Sequence, residues 1–517
     1  MRQLALVLAL VVLAAKPGAT PVRAQSSEVL KALHAEGMER SQVVLMAQYL
    51  ADVIGPRLTA SPGHERAIDW AMRQLSDWGI SSSREVQGTW RSWDRGLVSL
   101  DLIEPRARSL EGQLLTWSPG TKGSVEGGAV LFPDVRGADQ FKHWLPNAKG
   151  RFVLLTAYEP TCRPADVWEN YGGVQARKAF EDNQKASRDA WQARLSAVGL
   201  SPQEIIDALE GAGAAGFLTN LWTGERGTDR VFPLTYSFRG AMNHVAPAFN
   251  LSCEDYGLMY RLAGNGQGPK LRAYSEAKEL GDAPAHNLIA VIPGVDLSDE
   301  YVVLSAHFDA WDGASGMTDN GTGSVTMMEA MRLLATHYPR PRRTIVLGLW
   351  SGEEQGLNGS RSYSADHPEV VEGLQALFNQ DNGTGRISTI NMQGLTGALP
   401  HFKRWFNRLP NDLVKGVEII APGSPGEAGS DYVSFICAGA PAFNLESDDF
   451  DYRNGTWHTN RDTFDKIAPA DLRANATLVA MLAYLAAEDE RVPRARDPQD
   501  AWPKCQLPDR ETGERFR

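Results

Sequence analysis

Cysteine is scarce: four residues in 517, at positions 162, 253, 437 and 505. That is too few for a disulfide framework, and with no CxxC pair it excludes a cysteine zinc site or a thiol redox motif. At most one bridge, between Cys162 and Cys253, is expected. Basic charge is also short. Lys+Arg 52 against Asp+Glu 63 gives a net charge of −11, which argues against a nucleic-acid surface. Long apolar runs are missing beyond the first residues, so no membrane span is expected there. No G-x-S-x-G, H-E-x-x-H or Walker A pattern occurs, which leaves serine hydrolysis, the common zincin arrangement and P-loop chemistry without support.

The exception to the missing apolar runs is Leu4–Ala15, twelve residues after a basic Met1-Arg2 start. It is shorter than the roughly 20 residues a span requires. Lys16-Pro17-Gly18 breaks it, and Val22-Arg23-Ala24 offers a small-residue cleavage site. Residues 1–24 therefore read as a secretory signal peptide, and an exported protein, periplasmic or secreted, is expected. Removing Arg2, Lys16 and Arg23, and no acid, takes the charge from −11 to −14.

The rest of the chain is globular in composition, with 43% hydrophobic and 22% charged residues. Helical periodicity covers residues 27–54 and 63–78, and residues 85–103 alternate like a strand pair. From 117 to 268 the character changes to short strand-like runs around a polar helical stretch at about 166–210. This segment closes on Gly264-Asn-Gly-Gln-Gly268, a linker composition. After it, strands at 287–292, 301–306, 343–350, 374–378 and 440–445 alternate with helices at 323–335 and 469–488. Such alternation means an α/β fold with a mostly parallel, doubly wound sheet flanked by helices. The organisation expected is a discontinuous catalytic domain at 25–116 and 269–490, an inserted β-rich domain at 117–268, and a Pro- and charge-rich tail at 491–517.

In such sheets ligands bind beyond the carboxyl ends of the strands. The ionisable residues at those ends are His307-Phe-Asp309, then Asp319-Asn320, Glu353-Glu354, Asp381, and Trp457-His458 after an acidic loop. Two histidines and three carboxylates with no cysteine suit zinc or a similar divalent ion. Alternate residues of an extended chain share a side, so the Asp309 carboxylate is expected to orient His307.

In this order, these residues resemble the co-catalytic di-zinc exopeptidases, which include bacterial leucyl aminopeptidases, aminopeptidase Y and plasma glutamate carboxypeptidase. The stretch Ile54-Gly-Pro-Arg57-Leu-Thr-Ala-Ser61-Pro-Gly63 resembles that family's amino-terminal pattern, and Gly211–Asn220 resembles its protease-associated insert. The resemblance implies two zinc ions bridged by Asp319. His307 and Asp381 would hold one ion, and Glu354 and His458 the other. It also implies Glu353 as general base for a bridging hydroxide, a role for Asp309 beside the catalytic group, and a cis peptide at Asp319–Asn320. Several relatives carry Tyr where this chain has Trp457. That leaves Tyr432 and Tyr452 as candidates to stabilise an oxyanion.

The expected reaction is hydrolysis of peptide bonds at the end of short peptides, as an aminopeptidase or dipeptidase. The acidic loop Glu446–Asp451 would face a substrate ammonium, with Asp431 a further substrate-binding candidate. Arg453 beside Tyr452 is the feature that favours a carboxypeptidase instead. Two further readings share the fold. A zinc-dependent cyclase or acyltransferase would keep the ligands but close the pocket, and a receptor-like homologue would have lost catalysis. The expected partner is a peptide, with no nucleic acid and no membrane after signal removal. A homodimer is compatible with the sequence.

Overall fold

The computed structural model describes residues 22–235, 243–426 and 429–496. The signal peptide lies almost wholly outside the described residues, as does most of the tail. Among the described residues, no helix is long and apolar enough to cross a membrane.

The strand Leu297–His307 sits at the centre, with Arg343–Trp350 and Leu374–Asn379 parallel on either side. Ala442–Ser447 adds a further parallel strand beyond Leu374–Asn379. Alternation decides which face each side chain meets. Val302, Leu304 and Ala306 enter one buried cluster with Met327, Met331, Val479 and Leu482 from the helices Thr322–His337 and Pro469–Glu488. Val303 and Val346 enter the opposite cluster with Phe435 and Ile436. Both faces are covered, which is why the middles of these strands read as near-continuous apolar runs. Each such buried aliphatic side chain is worth about 1.5–3 kcal/mol.

Antiparallel strands flank this centre. Lys270–Ile292 pairs with Arg343–Trp350 and, over nearly its whole length, with Ser81–Glu104. Residues 85–103 are thus part of one long strand whose partner is distant in sequence, not a local strand pair. The same ribbon extends past the central sheet and pairs with Val125–Leu131. From there Phe152–Leu154, Gly216–Thr219 and Ala248–Leu251 continue as parallel neighbours. A separate core forms here, drawing on Phe152, Leu218 and Phe249, and also on Trp93, Trp117 and Leu271 of the ribbon and its exit.

The glycine-rich exit at 264–268 is a hydrogen-bonded turn, with Gly266 N–H on Ala263 O at 3.2 Å and Gln267 N–H on Leu262 O at 2.9 Å. It closes the helix Cys253–Gly264 and feeds directly into the ribbon. Cys162 and Cys253 are bridged. Cys437 is disulfide-bonded as well, so the limit of one bridge is too low. The start of the tail packs on the surface, where Val492 is buried and Arg494 donates to the carbonyls of Val371 and Glu372.

Candidate metal centre

Three strand ends and two tight turns supply the polar groups. His307 is the last residue of its strand. Asp319 lies in the turn Met317–Gly321, just before the helix Thr322–His337, and the Asp319–Asn320 peptide is cis. Glu353 and Glu354 follow Arg343–Trp350, and Asp381 follows Leu374–Asn379. His458 follows the turn Tyr452–Thr456.

The turn around Asp319 is held through its backbone. The Asp462 carboxylate accepts from the N–H of Thr318 at 2.6 Å and of Asp319 at 3.0 Å. The Asn320 side chain donates to Gln380 O at 2.8 Å and accepts from Gly323 N–H at 3.1 Å. Gly323 must be glycine, since a Cβ there would lie 2.2 Å from Asn320 Oδ1 and 2.4 Å from Gln380 O. Beneath the site, the wholly buried Arg57 donates to the carbonyls of Phe308, Ser315 and Gly316 at 2.7–2.8 Å. It thereby fixes both ends of the loop between His307 and Asp319. Arg57, Asp462 and Thr59 have no role assigned from the sequence.

Two clusters result, His307–Asp319–Asp381 and Asp319–Glu354–His458. Asp319 belongs to both. Its Oδ1 lies 3.3 Å from His307 Nε2, and its Oδ2 lies 2.9 Å from His458 Nε2. Asp381 Oδ1 is 3.2 Å from His307 Nε2, and Glu354 Oε2 is 2.8 Å from His458 Nε2. Tetrahedral zinc with bonds near 2.0 Å sets ligand atoms about 3.3 Å apart, so each cluster has the span such an ion requires. Glu354 Oε1 is buried with no hydrogen-bond partner among the described residues, a further acceptor for a cation.

Charge points the same way. Asp309, Asp319, Glu353, Glu354, Asp381, Asp431 and Asp462 crowd around His307, His458 and Arg57. Burial pushes Glu354 up to about 7 and Asp462 up to about 7, with Asp319 adding to both. Burial alone would lower His458, but Glu354 and Asp319 push it up to about 9. Burial also holds Glu353 well above the carboxylate range, and Asp381, Asp431 and Glu354 reinforce it. Bound cations would relieve this repulsion.

Several expected roles shift. The His307 ring is oriented by the Asp309 backbone carbonyl, 2.9 Å from Nδ1, while the Asp309 carboxylate stands 3.7 Å away. That carboxylate instead accepts from the N–H groups of Glu353 at 3.2 Å and Glu354 at 3.4 Å, and from the Thr59 hydroxyl at 3.0 Å. Backbone geometry wins because the strand ends at His307 and the chain turns back on the ring. Tyr432 and Asp431 are both wholly buried, Tyr432 in the core cluster with Trp350 and Phe435. Neither presents surface to a peptide, so the substrate-contact expectation is corrected for both. Arg453 projects into solvent, its side chain 84% exposed and 3.9 Å from Asp449. Tyr452 feels the charge of the clusters: burial raises its hydroxyl well above the usual range, and Asp319, Asp381 and Glu354 add to the effect. Glu353 Oε2 lies 4.0 Å from His307 Nε2, at the edge of the first cluster.

Residues 287–483 match the profile described as peptidase family M28. Over that segment the chain is similar to this family, and it is a metallo-exopeptidase. The peptidase is 26% identical over 451 residues to carboxypeptidase Q of Mus musculus, spanning 86% of each chain. It is 30% identical over 211 residues to leucine aminopeptidase 1 of Arthroderma otae, spanning 38% of this chain and 56% of that one. In fold it is similar to a peptidase M28 precursor from Shewanella amazonensis, with TM-score 0.62 and 22% identity over 92% of this chain and 99% of that one.

Proposed function

We propose that the peptidase is an exported enzyme that holds two zinc ions and removes residues from the free amino end of short peptides, dipeptides included. The observation that carries the two-ion reading is Asp319, whose two oxygens face two different histidines. His307 and Asp381 would hold one ion and Glu354 and His458 the other, with Asp319 between them. When bound, the ions supply Lewis-acid polarisation of the scissile carbonyl and acidify a water. Glu353 takes that water's proton and passes it to the leaving nitrogen. Its N–H on Asp309 fixes the turn from which the carboxylate reaches inward. The Tyr452 hydroxyl, kept protonated by its surroundings, donates to the developing oxyanion. It would fill the role for which Trp457 has only an indole N–H.

The density of carboxylates favours a substrate ammonium over a substrate carboxylate at the centre. Segment 117–268, with the ribbon it joins, is read as the insert that shapes access to the site and contributes no metal ligand. The second reading is a carboxypeptidase, favoured by the likeness to carboxypeptidase Q over 86% of both chains. One dipeptide compared with its N-acetylated and C-amidated forms separates the two. Loss of cleavage on acetylation supports the amino-end reading. Full cleavage of the acetylated form with loss on amidation supports the carboxypeptidase.

A further inference from the structure

A metal-bound imidazole normally has its other nitrogen anchored by a hydrogen bond, which fixes the ring. His307 has this anchor in the Asp309 carbonyl. His458 lacks it: Nδ1 is buried with no hydrogen-bond partner among the described residues. Its ring is held by aromatic contacts. Trp457 stacks on it at 4.1 Å with 28° between planes, and Phe232 meets it edge-on at 5.3 Å.

Those contacts depend on a segment far away in sequence. Residues 227–232 run alongside 457–461. Val231 N–H donates to His458 O at 3.0 Å, and Asn460 N–H donates to Asp229 O at 2.9 Å. Asp229 N–H donates to the Asn460 side chain at 2.9 Å, and Arg461 Nε donates to Gly227 O at 2.6 Å. Arg230 ties the arrangement together. Its guanidinium donates to the carbonyls of Trp457 and Arg453, and lies 4.7 Å over the Trp457 ring. Val231 also lines, with Asp319, Glu354 and His458, a small cavity of ≈ 10 Å³.

We infer that segment 227–232, through the Arg230–Trp457–His458 stack, is the positioning element for the Asp319–Glu354–His458 cluster. In the other cluster the His307 ring has its own anchor, the Asp309 carbonyl. The inference rests on the two-ion reading and adds that the two ions are held by unequal means. Arg230 is a positioning residue: it holds the Trp457 and Arg453 carbonyls and the Trp457 ring, and acts through the loop that carries His458.

The test is stepwise chelator release from zinc-loaded protein, with bound zinc counted by elemental analysis and the melting temperature of the apoprotein followed in parallel. In Arg230→Ala, one ion should leave at about ten- to hundredfold lower chelator concentration, the cost of losing an outer partner of a metal ligand. The other ion should leave as in wild type, and the apoprotein should melt as in wild type. Arg230→Lys keeps a donor but loses the flat guanidinium face, and should fall between; it carries the test if the alanine variant does not fold. Two release steps identical to wild type in a folded variant overturn the inference, as does equal weakening of both ions. A wild-type chain that saturates at one ion sinks the two-ion reading instead, so the two failures are distinguishable.

Discussion

The Asp309 carboxylate accepts the backbone N–H of Glu353 at 3.2 Å, while the Asp309 backbone carbonyl faces the His307 ring. One residue thus meets both the proposed general base and a proposed metal ligand, through different atoms. Asp309→Asn exchanges an oxygen for a donor opposite two N–H groups. It should lower zinc affinity and activity together by about 10–100-fold. Zinc titration and turnover on the same preparation check this; a variant with wild-type turnover would remove Asp309 from the machinery.

The adjacent glutamates should separate cleanly. Glu353→Gln cannot accept the water's proton and should lose about 10²–10⁴-fold in kcat while retaining its zinc. Glu354→Gln loses an atom 2.8 Å from His458 Nε2 and should lose zinc. The reverse pattern would exchange their roles.

Tyr452→Phe removes one hydroxyl that feels the charge of Asp319, Asp381 and Glu354. If that hydroxyl serves the oxyanion, kcat should fall by about 10²–10³-fold with KM nearly unchanged. A change in KM alone would make Tyr452 a binding residue.

His64 gives a pH dependence separate from the metals. It is wholly buried, with no hydrogen-bond partner for either ring nitrogen among the described residues, and burial, with Arg57 beyond it, lowers its pKa to about 3. The unfolded ring takes a proton as pH falls through about 6.5, whereas the folded ring stays neutral until about 3. Above 6.5 the group has no effect; below it stability falls by up to about 1.4 kcal/mol per pH unit. In chelator-treated protein, His64→Leu should flatten the acid side of the stability profile between pH 7 and 4. A difference from wild type that does not change with pH would contradict this.

What was legible in the sequence follows from burial and from strand ends. Arg343–Trp350 is apolar from Ile345 onward because both its faces are covered, and Pro469–Glu488 falls at the bounds its periodicity predicts. Three of the five candidate ligands, His307, Glu354 and Asp381, stand out because strand ends gather chemistry. The anchors are silent. Arg57, Asp462 and the Asp309 carbonyl act on or through backbone groups, which leave no side-chain pattern to read. The ribbon is hidden for a different reason. Ser81 and Val291 pair across more than two hundred residues, a distance no local alternation encodes. The dependence of His458 on Arg230 is equally non-local.

Whether Asp319 bridges two ions is decided by the number of zinc ions per chain at saturation, with activity followed along the titration. Close to two ions are expected, with both lost in Asp319→Ala, because one carboxylate serves both clusters. Saturation at a single ion, or activity that survives complete chelation, would contradict the bridged two-ion centre.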